Sequence, residues 1–504
     1  MEHPLICLTL TGKTLQEDLE ILDKYKSYID IAELRVDFLQ EEERLLTRRF
    51  PLMTNLPCIL TIRRKIDGGR FDEGEANRAI LFARALAFAK EEQTKNFAYV
   101  DFEEDFRVSS LQEAALAYGQ KIIRSVHDME NPILNIRNRL SSLQTMSNEI
   151  PKIAFMPHSL DDVRVLFEEA EKLPDTNHIL VAMGKFGIPS RILSAKLKSC
   201  ITYTSPAEMN ENLAKLEHLT PDILTQTYHF NDINTNTKVY GITGWPLEAT
   251  SSPELHNKGF EKHHINAVYV PIRAKEFSQA FSFASSANVL GMSVTVPHKE
   301  EALKMMDEVD PTAQKIGACN TIVRLDNGKW KGYNTDALGF EQSLKELIGN
   351  KSLLHKKVAI IGAGGAARAI AYTVKKLKGN ACIFNRTIHK ARQLAEQYGF
   401  KYASLSRDAI DMLKKYNDVI IQTTSKGMNC SGTSTEENDP LYFYEFNGKE
   451  LLYDIIYVPS VTPIMQRASS AGCKVYNGYS MLMYQGYEQF KLFTGKDYVL
   501  SGEY

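Results

Sequence analysis

The first half of the chain alternates short apolar segments with longer helical patterns. The eight strand-like segments are LICLTL, IDIAELRVDFL, PCILTIR, FAYVDFE, KIIRSVHD, IPKIAFMP, HILVAMG and CITYTS. Helical patterns such as NRAILFARALAFAKEE and LDDVRVLFEEAEKL lie between them. This alternation predicts parallel strands joined by right-handed crossovers. Eight such units in roughly 230 residues have the size of a (β/α)₈ barrel, so we expect an α/β fold that begins with one.

Length, charge and cysteine content limit the class of protein. A chain of 504 residues is too long for one core. The balance of 60 Lys and Arg against 62 Asp and Glu gives no reason to expect nucleic acid or a membrane as a partner. Seven cysteines without a C-x-x-C pair favour a reducing compartment and disfavour zinc. The first residues resemble a strand rather than a signal peptide. We expect a cytoplasmic protein without a metal site, in an oligomeric state that stays open.

Charged residues lie within the predicted strands of the first half. Residues two apart in a strand share a face, so Glu33, Arg35 and Asp37 are expected to point the same way. Charged groups at the carboxyl ends of barrel strands indicate chemistry. The other polar residues within or at the ends of predicted strands are Arg63, Asp101, Glu103, His127, Lys152 and Ser205.

Each of these residues also has an ordinary structural interpretation. His127 could cap a loop, and Lys152 could extend along the surface into water. Glu33, Arg35 and Asp37 could form a structural ion-pair ladder. The convergence of all these groups on one end of a single barrel favours the functional interpretation.

Four segments, ELRVDF, SVHD, PKIAFMP and MGKFGIPSR, resemble the marker segments of type I 3-dehydroquinate dehydratase over roughly residues 4–228. The resemblance implies a Schiff base between Lys152 and the substrate ketone. A lysine nucleophile must be neutral, and burial favours the neutral amine. The resemblance also implies that His127 moves protons and that Arg191 binds the substrate carboxylate. It further implies that Glu33, Arg35 and Arg63 contact the substrate.

Two positions depart from that family. Asp67 stands where the family usually has Glu, one methylene longer. The family's glycine-bearing lid after the eighth strand is replaced by TSPAEMNEN, in which Ser205 keeps the serine but no glutamine matches. Both departures concern lid closure and substrate affinity more than the chemistry.

A glycine-rich turn dominates the second half. VAIIGAGGAARA ends a predicted strand and opens a predicted helix, with the spacing G-x-G-x-x-G/A. Such glycines let the backbone approach a pyrophosphate at a helix N-terminus, although a tight turn without a ligand is the alternative. The predicted cofactor-binding residues of this turn are Gly362, Ala363, Gly364, Gly365 and Ala366.

The next predicted strand, ACIFNRT, indicates which dinucleotide binds. An NAD enzyme would place Asp or Glu near its end, but this chain has Asn385, Arg386 and Thr387. A guanidinium without the acid favours a 2′-phosphate, hence NADP(H). A plain surface arginine is the alternative interpretation of Arg386.

Further segments resemble shikimate dehydrogenase over about residues 238–496: GMSVTVPHKE, GACNTIV, GYNTDALG, TTSKGM, YDIIYVP and MLMYQG. The resemblance implies that Lys299 and Asp336 form the catalytic pair, able to exchange a proton with the substrate oxygen; a surface ion pair is the alternative. In the carboxylate loop, H-S-x-S-P is replaced by ATSSP, which keeps hydroxyls at Thr250 and Ser252. The resemblance also implies four substrate-binding residues, Thr295, Asn320, Tyr457 and Gln485. It implies one further cofactor-binding residue, Gly478.

These resemblances predict two consecutive enzymes in one chain. The first dehydrates 3-dehydroquinate and the second reduces 3-dehydroshikimate to shikimate with NADPH. We expect a barrel over residues 1–228, a linker over 229–237, a substrate-binding domain over 238–340, a Rossmann NADP domain over 341–475 and C-terminal helices over 476–504.

Two rival functions stay open at this point. A regulatory sensor derived from these enzymes would have lost its catalytic residues, whereas Lys152, His127, Lys299 and Asp336 are all present. A quinate or shikimate dehydrogenase using NAD is disfavoured by Arg386. Quinate as an additional substrate is harder to exclude, because Thr250 and its neighbours shape that pocket.

Overall fold

A computed structural model describes residues 3–87, 92–208, 216–247, 250–349 and 352–499. These residues form two compact units, Met1–Leu290 and Gly291–Tyr504. Three predicted features lie partly or wholly outside the described residues: the end of the stretch NRAILFARALAFAKEE, the second part of TSPAEMNEN, and Ala249.

The first unit begins with eight parallel strands, and all eight predicted strands are confirmed. They are β1 Leu5–Leu10, β2 Ile31–Arg35, β3 Cys58–Thr61, β4 Tyr99–Glu103, β5 Lys121–Asp128, β6 Glu149–Phe155, β7 Ile179–Ala182 and β8 Ile201–Thr204. Their order in the sheet is β7-β6-β5-β4-β3-β2-β1-β8. A bridge between His178 and Ser199, just before β7 and β8, brings the two edge strands together. The result is a nearly closed barrel.

Helices follow the strands of the barrel. They are α1 Leu15–Tyr25, α2 Glu41–Arg44, α3 Phe50–Met53, α4 Glu75–Leu86, α5 Ser109–Ala117, α6 Ile136–Leu143, α7 Leu160–Glu171 and α8 Gly184–Ile192. Helix α7 shows why the chain folds this way. Ser159 and Asp162 form a capping box at its start, and Leu160, Val163 and Leu166 recur at helical spacing and are fully buried.

A buried ion pair ties β5 to β6. Arg124 and Glu149 lie on these neighbouring strands, and the Arg124 guanidinium donates two hydrogen bonds to Glu149 Oε1, at 2.9 and 2.8 Å. The same guanidinium donates to the carbonyl oxygens of Glu103 and Phe106. Because every polar group of this pair has a partner, its burial is tolerated.

The first unit continues beyond the barrel. It contains a five-residue π-helix at Ile223–Thr227, then β9 Lys238–Gly244, α9 Ser252–Lys262, β10 Ala267–Arg273 and α10 Phe277–Ser286. Strands β9 and β10 are parallel neighbours. Phe283 of α10 packs edge-on against Phe167 of α7, with ring centroids 5.3 Å apart. Trp245, after β9, stacks on Phe186 of α8, also at 5.3 Å. Barrel helices α7 and α8 therefore support the elements that follow them in sequence.

The second unit contains two groups of strands. Strand β11 Val289–Val294 begins at the boundary of the units and pairs antiparallel with β13; the others of its group are β12 Glu308–Val309, β13 Thr321–Arg324 and β14 Trp330–Tyr333. The second group is β15 Lys357–Ile361, β16 Asn380–Asn385, β17 Lys401–Ser404, β18 Val419–Gln422, β19 Leu451–Asp454 and β20 Lys474–Tyr476. These six strands are parallel in the order β17-β16-β15-β18-β19-β20, the doubly wound order of dinucleotide-binding folds.

The second unit contains a helix directly after the glycine turn and another near the C-terminus, and the sequence predicts both. They are α11 Lys299–Met305, α12 Pro311–Ile316, α13 Asp336–Ile348, α14 Gly365–Lys376, α15 Ile388–Tyr398, α16 Ile410–Lys415, α17 Pro463–Ser470 and α18 Tyr479–Thr494. The turn between β15 and α14 lies where the strand order reverses, the position at which open α/β sheets bind ligands.

The Arg124–Glu149 pair gives a stability prediction. Arg124→Met leaves the Glu149 carboxylate buried without its cation, which we expect to lower the free energy of unfolding by about 3–5 kcal/mol. Arg137→Ala, which breaks a half-exposed pair with Glu169 on the same barrel, is the matched control, and we expect a change within about 0.5 kcal/mol. Urea denaturation followed by circular dichroism measures both. Equal stability of the two variants would contradict a structural role for the buried pair.

Candidate active sites

A pocket with an empty volume of about 550 Å³ lies in the barrel. It is lined by residues of several strands and of the loops that follow them. Of the residues predicted from the sequence, those lining it are Glu33, Arg35, Arg63, Asp67, His127, Lys152 and Arg191. Ser205 is not among the lining residues, but it contacts one of them, as described below.

The Lys152 amine is held inside the barrel. Its side chain is 6% exposed, and Nζ lies 3.3 Å from Asp101 Oδ2. The same nitrogen lies 4.0 Å from the centroid of the Tyr203 ring. Strand β6 aims the side chain inward between β5 and β7, where Lys152 pairs in register with Ser125 and Ile179. The amine therefore faces the pocket rather than bulk water, and the surface interpretation of Lys152 is wrong.

Arg63 and Asp101 supply the charges around Lys152. Arg63 Nη2 lies 2.8 Å from Asp101 Oδ2, and Arg63 Nη1 lies 2.8 Å from Glu103 Oε1. Ser125 donates a hydrogen bond to Asp101. Burial alone would raise the pKa of Asp101, but Arg63 and Lys152 outweigh it and hold that pKa below its usual range. Asp101 is thus a fixed anion beside the amine.

Glu33 is placed by two hydroxyl groups. Thr9 donates to Glu33 Oε2 at 2.9 Å, and Thr61 donates to Glu33 Oε1 at 2.8 Å. Both threonines belong to the strands that flank β2, so Glu33 is fixed by its neighbours on either side. A carboxylate held in this way can orient a ligand hydroxyl or an ammonium group.

His127 faces the same pocket as Lys152 from the next strand, β5. Burial, together with the positive charges of Arg63 and Lys152, holds the pKa of His127 well below its usual value. Among the described residues its Nδ1 atom is buried without a hydrogen-bond partner. The ring is therefore neutral near pH 7 and can accept a proton.

Arg191 is a buried guanidinium without a carboxylate partner among the described residues. Its Nη1 and Nη2 atoms donate to the carbonyl oxygens of Tyr203 and Leu216, at 3.1 and 3.3 Å. Its Nε atom is buried and makes no hydrogen bond to the described chain. Burial lowers the pKa of Arg191 to about 9. A buried cation in this state is well suited to an anionic ligand.

His218 is a titratable residue of this pocket that the sequence analysis did not identify. It lines the pocket, and its Nδ1 atom makes a short hydrogen bond with Ser205 Oγ. Burial, Arg191 and Arg35 hold the pKa of His218 well below its usual value. The residue follows a segment without a recognised family motif, so no sequence signal marked it.

Arg35 and Asp37 differ in detail from the prediction. Strand β2 ends at Arg35, and Val36–Phe38 form a 3-10 turn, so Asp37 does not continue the strand face. The two side chains form a bidentate pair at 2.9 and 2.8 Å. The pair with Asp37 fixes the position of the Arg35 guanidinium. Asp67 is paired in turn with Arg64, whose Nε atom lies 2.6 Å from Asp67 Oδ2.

A second group of polar residues surrounds Lys299 and Asp336 in the second unit. These residues begin helices α11 and α13, and Lys299 Nζ lies 2.5 Å from Asp336 Oδ2. Their side chains are 12% and 8% exposed. A Cβ atom on Gly365 would lie 3.1 Å from Lys299 Cδ, so glycine at the start of α14 leaves room for the lysine. The pair is largely buried and is not a surface ion pair.

Asn320 connects Asp336 to the C-terminal helix. Its Nδ2 atom donates to Asp336 Oδ1 at 2.8 Å and to Thr335 Oγ1 at 2.9 Å, and it lies 3.5 Å from Gln485 Oε1. Gln489, also on α18, donates to the Asn320 carbonyl oxygen. The structure thus brings three predicted residues together, Asn320, Asp336 and Gln485. Thr295 follows β11 and Tyr457 follows β19, and both are partly buried.

The glycine turn has the conformation that its sequence predicts. Gly362 has φ +116, and a Cβ atom there would lie 2.4 Å from Thr423 Oγ1, so only glycine fits. At Gly364 a Cβ atom would meet nothing within 4 Å. This open space precedes the N-terminus of α14, where backbone N–H groups favour an anion. These features fit a dinucleotide pyrophosphate.

Arg386 is exposed at the end of the neighbouring strand, β16. Asn385 donates a hydrogen bond to the Thr387 carbonyl oxygen at 3.0 Å, which shapes the turn that carries Arg386. Because Gly362 N donates to the Phe384 carbonyl oxygen, this turn begins beside the glycine turn. A guanidinium here fits a dinucleotide with a 2′-phosphate.

The remaining predicted residues lie at helix starts. In the first unit, Thr250 donates to Ser252 Oγ at 3.2 Å, at the start of α9. In the second unit, Gly478 precedes α18, and a Cβ atom there would lie 1.9 Å from the Ile455 carbonyl oxygen. Gly478 is thus required by packing, whatever it contacts when a cofactor binds.

Two kinds of feature are absent from the described residues. No group of three or more His, Cys, Asp and Glu side chains within them could hold a metal ion. No helix in that part of the chain combines the length and hydropathy needed to cross a membrane.

Three family models match successive parts of the chain. The model of type I 3-dehydroquinase matches residues 6–235. The model of the shikimate dehydrogenase substrate binding domain matches residues 242–322, and that of shikimate/quinate 5-dehydrogenase matches residues 344–439.

Individual relatives match either nearly the whole chain or its second half. The chloroplastic bifunctional 3-dehydroquinate dehydratase/shikimate dehydrogenase of Arabidopsis thaliana is 30% identical over 97% of this chain and 82% of the relative. The NADP(+) shikimate dehydrogenase of Pyrococcus furiosus is 38% identical over 53% of this chain and 93% of its own length. Among solved structures, dehydroquinate dehydratase and shikimate dehydrogenase from S. pombe is 22% identical, covers 99% of this chain and 97% of that chain, and has a TM-score of 0.42.

Proposed function

Since this chain belongs to the family of bifunctional 3-dehydroquinate dehydratase/shikimate dehydrogenases, we propose that Lys152 carries the first reaction and the Lys299–Asp336 pair the second. The chain is a shikimate-pathway enzyme with both activities. It dehydrates 3-dehydroquinate to 3-dehydroshikimate and reduces that ketone to shikimate with NADPH. The observation that carries the proposal is the amine of Lys152 inside the pocket, 3.3 Å from Asp101.

The dehydration proceeds through an imine. The Lys152 amine attacks the ketone carbon of 3-dehydroquinate, and the ketone oxygen leaves as water. The resulting iminium withdraws electrons from the adjacent carbon, so its C–H bond becomes acidic. Removal of that proton expels the hydroxyl group one carbon further along. Hydrolysis of the imine then returns the free amine and releases 3-dehydroshikimate.

His127 moves the protons of this sequence. Its neutral ring, held in that form by burial and by Arg63 and Lys152, accepts the C–H proton. The protonated ring then donates to the departing hydroxyl group. Asp101, kept ionised, stabilises the positive charge on the lysine nitrogen once the imine has formed.

Binding groups around the pocket orient the substrate. Arg191 receives the carboxylate, because its guanidinium is buried and no acid of the described chain neutralises it. Glu33 and Arg35 contact ring hydroxyls, and Arg63 lies near the imine through its contact with Asp101. Ser205 and Asp67 support the rim.

The reduction uses the second site. When bound, NADPH supplies a hydride to the ketone carbon of 3-dehydroshikimate. Lys299 donates a proton to the substrate oxygen, and Asp336 keeps the lysine in position. Asn320, Gln485 and Thr295 bind ring hydroxyls, and Tyr457 lines the substrate pocket. Contact of Thr250 and Ser252 with the carboxylate stays a prediction.

NADP binds at the glycine turn and at Arg386. The residues Gly362–Ala366 would hold the pyrophosphate at the start of α14, and Asn385–Thr387 would hold the 2′-phosphate. Gly478, at the start of α18, would also contact the cofactor. The open space at Gly364 supports this assignment.

The domain boundaries and location are part of the proposal. We place the dehydratase in residues 1–228, the linker in 229–237, the substrate-binding domain in 238–340, the NADP domain in 341–475 and the C-terminal helices in 476–504. All seven cysteines are free thiols, which supports a reducing compartment, and we propose the cytoplasm.

Replacing Lys152 tests the assignment of the two sites. Lys152→Ala removes the nucleophile, so we expect dehydration of 3-dehydroquinate to fall by about 10³-fold or more. NADPH oxidation by added 3-dehydroshikimate should stay near the wild-type rate. Enone absorbance and NADPH consumption measure the two reactions in one preparation. Lys121→Ala, at the exposed start of β5, is the control. Loss of both activities in Lys152→Ala alone would count against separate sites.

The pH profile of dehydration tests His127 as the base. Because burial and the charges of Arg63 and Lys152 hold the pKa of His127 well below the usual histidine value of about 6.5, the ring stays neutral as the pH falls through that value. The acid limb of kcat/KM, which reports the free enzyme, should therefore have its midpoint below pH 6.5. A limb centred at pH 6.5 would mean an unshifted histidine, and one centred higher would mean that another group controls the reaction.

Replacing Arg386 tests the dinucleotide assignment. Arg386→Ala removes the cation for the 2′-phosphate, so we expect the KM for NADPH to rise about tenfold. The KM for NADH should change little, and dehydration not at all. Lys414→Ala, which removes an exposed cation of α16 in the same sheet domain, is the matched control. An unchanged preference for NADPH over NADH in Arg386→Ala would refute the role of this residue.

A further inference from the structure

The segment Leu216–His218 forms one wall of the dehydratase pocket. Leu216 and His218 both line the pocket. The Leu216 carbonyl oxygen accepts from Arg191 Nη2 at 3.3 Å and from Gly184 N at 3.2 Å. His218 makes its short hydrogen bond with Ser205. The position of this segment therefore bears on both the carboxylate-binding arginine and the serine beside it.

Glu217, between these two residues, is held by an outside contact. Its backbone has φ +44, in the left-handed region that a residue with a side chain rarely adopts. Its side chain accepts a short, charge-assisted hydrogen bond from Arg273 Nη1. The two side chains are 19% and 25% exposed for Arg273 and Glu217, so the pair is largely shielded from water. An unfavourable backbone persists when surrounding contacts fix it.

Arg273 comes from the dehydrogenase part of the sequence. It is the last residue of β10 and lies within the range that matches the shikimate dehydrogenase substrate binding domain. Its Nε atom donates to the Leu247 carbonyl oxygen at 2.9 Å, which fixes the guanidinium. Trp245 and Lys275 contact Phe186 of α8, the helix that carries Arg191. Strand β10 is thus well anchored beside the barrel within the first unit.

We propose that Arg273 is a positioning residue for the dehydratase, acting through Glu217 on the pocket wall formed by Leu216 and His218. The proposal rests on the assignment of this pocket to dehydration. In this proposal a residue from the dehydrogenase part of the sequence holds one wall of the dehydratase pocket in position. Arg273 reaches neither Lys152 nor His127, which stand on β6 and β5. Its loss should therefore weaken substrate binding and leave the imine chemistry intact.

A double-mutant cycle tests this proposal in the full chain. Arg273→Ala and Glu217→Ala are each expected to raise the KM for 3-dehydroquinate about tenfold, with kcat within about twofold of wild type. Because both changes break the same contact, the double variant should match the single variants rather than multiply their effects. NADPH oxidation by 3-dehydroshikimate, measured on the same preparations, should stay near wild type. Arg137→Ala, in an exposed pair on the barrel, is the control.

Each outcome of the cycle decides the proposal. An unchanged KM in both single variants overturns it, as does a fall in kcat alone or a multiplicative effect in the double variant. If Arg273→Ala loses both activities and its thermal transition, Glu217→Gln, which keeps Arg273 and Leu247 in contact, carries the same KM test. A wild-type chain without dehydratase activity would refute the function proposed for the pocket rather than the role of Arg273.

Discussion

The buried contact between Lys152 and Asp101 is the interaction on which the dehydratase site depends. A lysine inside a barrel is unfavourable unless nearby groups compensate for the lost water. Asp101 does so from β4, and Arg63 neutralises Asp101 in turn. Lys152 and Asp101 lie on different strands, β6 and β4, and Arg63 lies in the segment that follows β3, so these parts of the barrel must come together before the charges can meet. The arrangement that makes the amine tolerable inside the fold also keeps an anion beside the nitrogen that becomes positive in the imine.

The two sites use lysine in different ways because the surroundings differ. Lys152 extends from the middle of a strand into the pocket, where its amine lies beside the Asp101 carboxylate and the ring of Tyr203. Lys299 starts a helix and makes a close pair with Asp336, which itself accepts from Asn320. The first environment suits a nucleophile that gains and loses a covalent partner. The second suits a proton donor whose direction must be fixed while the substrate carbon changes geometry.

The sequence predicted the barrel well because its strands are short, apolar and regularly spaced. It also predicted the glycine turn, because Gly362 occupies a conformation that only glycine adopts easily. Strand alternation predicts Asp37 on the same face as Glu33 and Arg35. The 3-10 turn after Arg35 ends this alternation, so the prediction for Asp37 is wrong. His218 and Arg273 could not be predicted, since their importance comes from contacts between segments distant in sequence. No local pattern records such contacts.

Trapping the imine is the most direct test of how this chain performs dehydration. The enzyme is treated with borohydride in the presence of 3-dehydroquinate, digested, and its peptides are weighed by mass spectrometry. A covalent adduct with the mass of the reduced ligand on the peptide that contains Lys152, absent without substrate, is the expected result. An active enzyme whose Lys152 peptide stays unmodified, or an adduct on another lysine, would contradict an imine at this position.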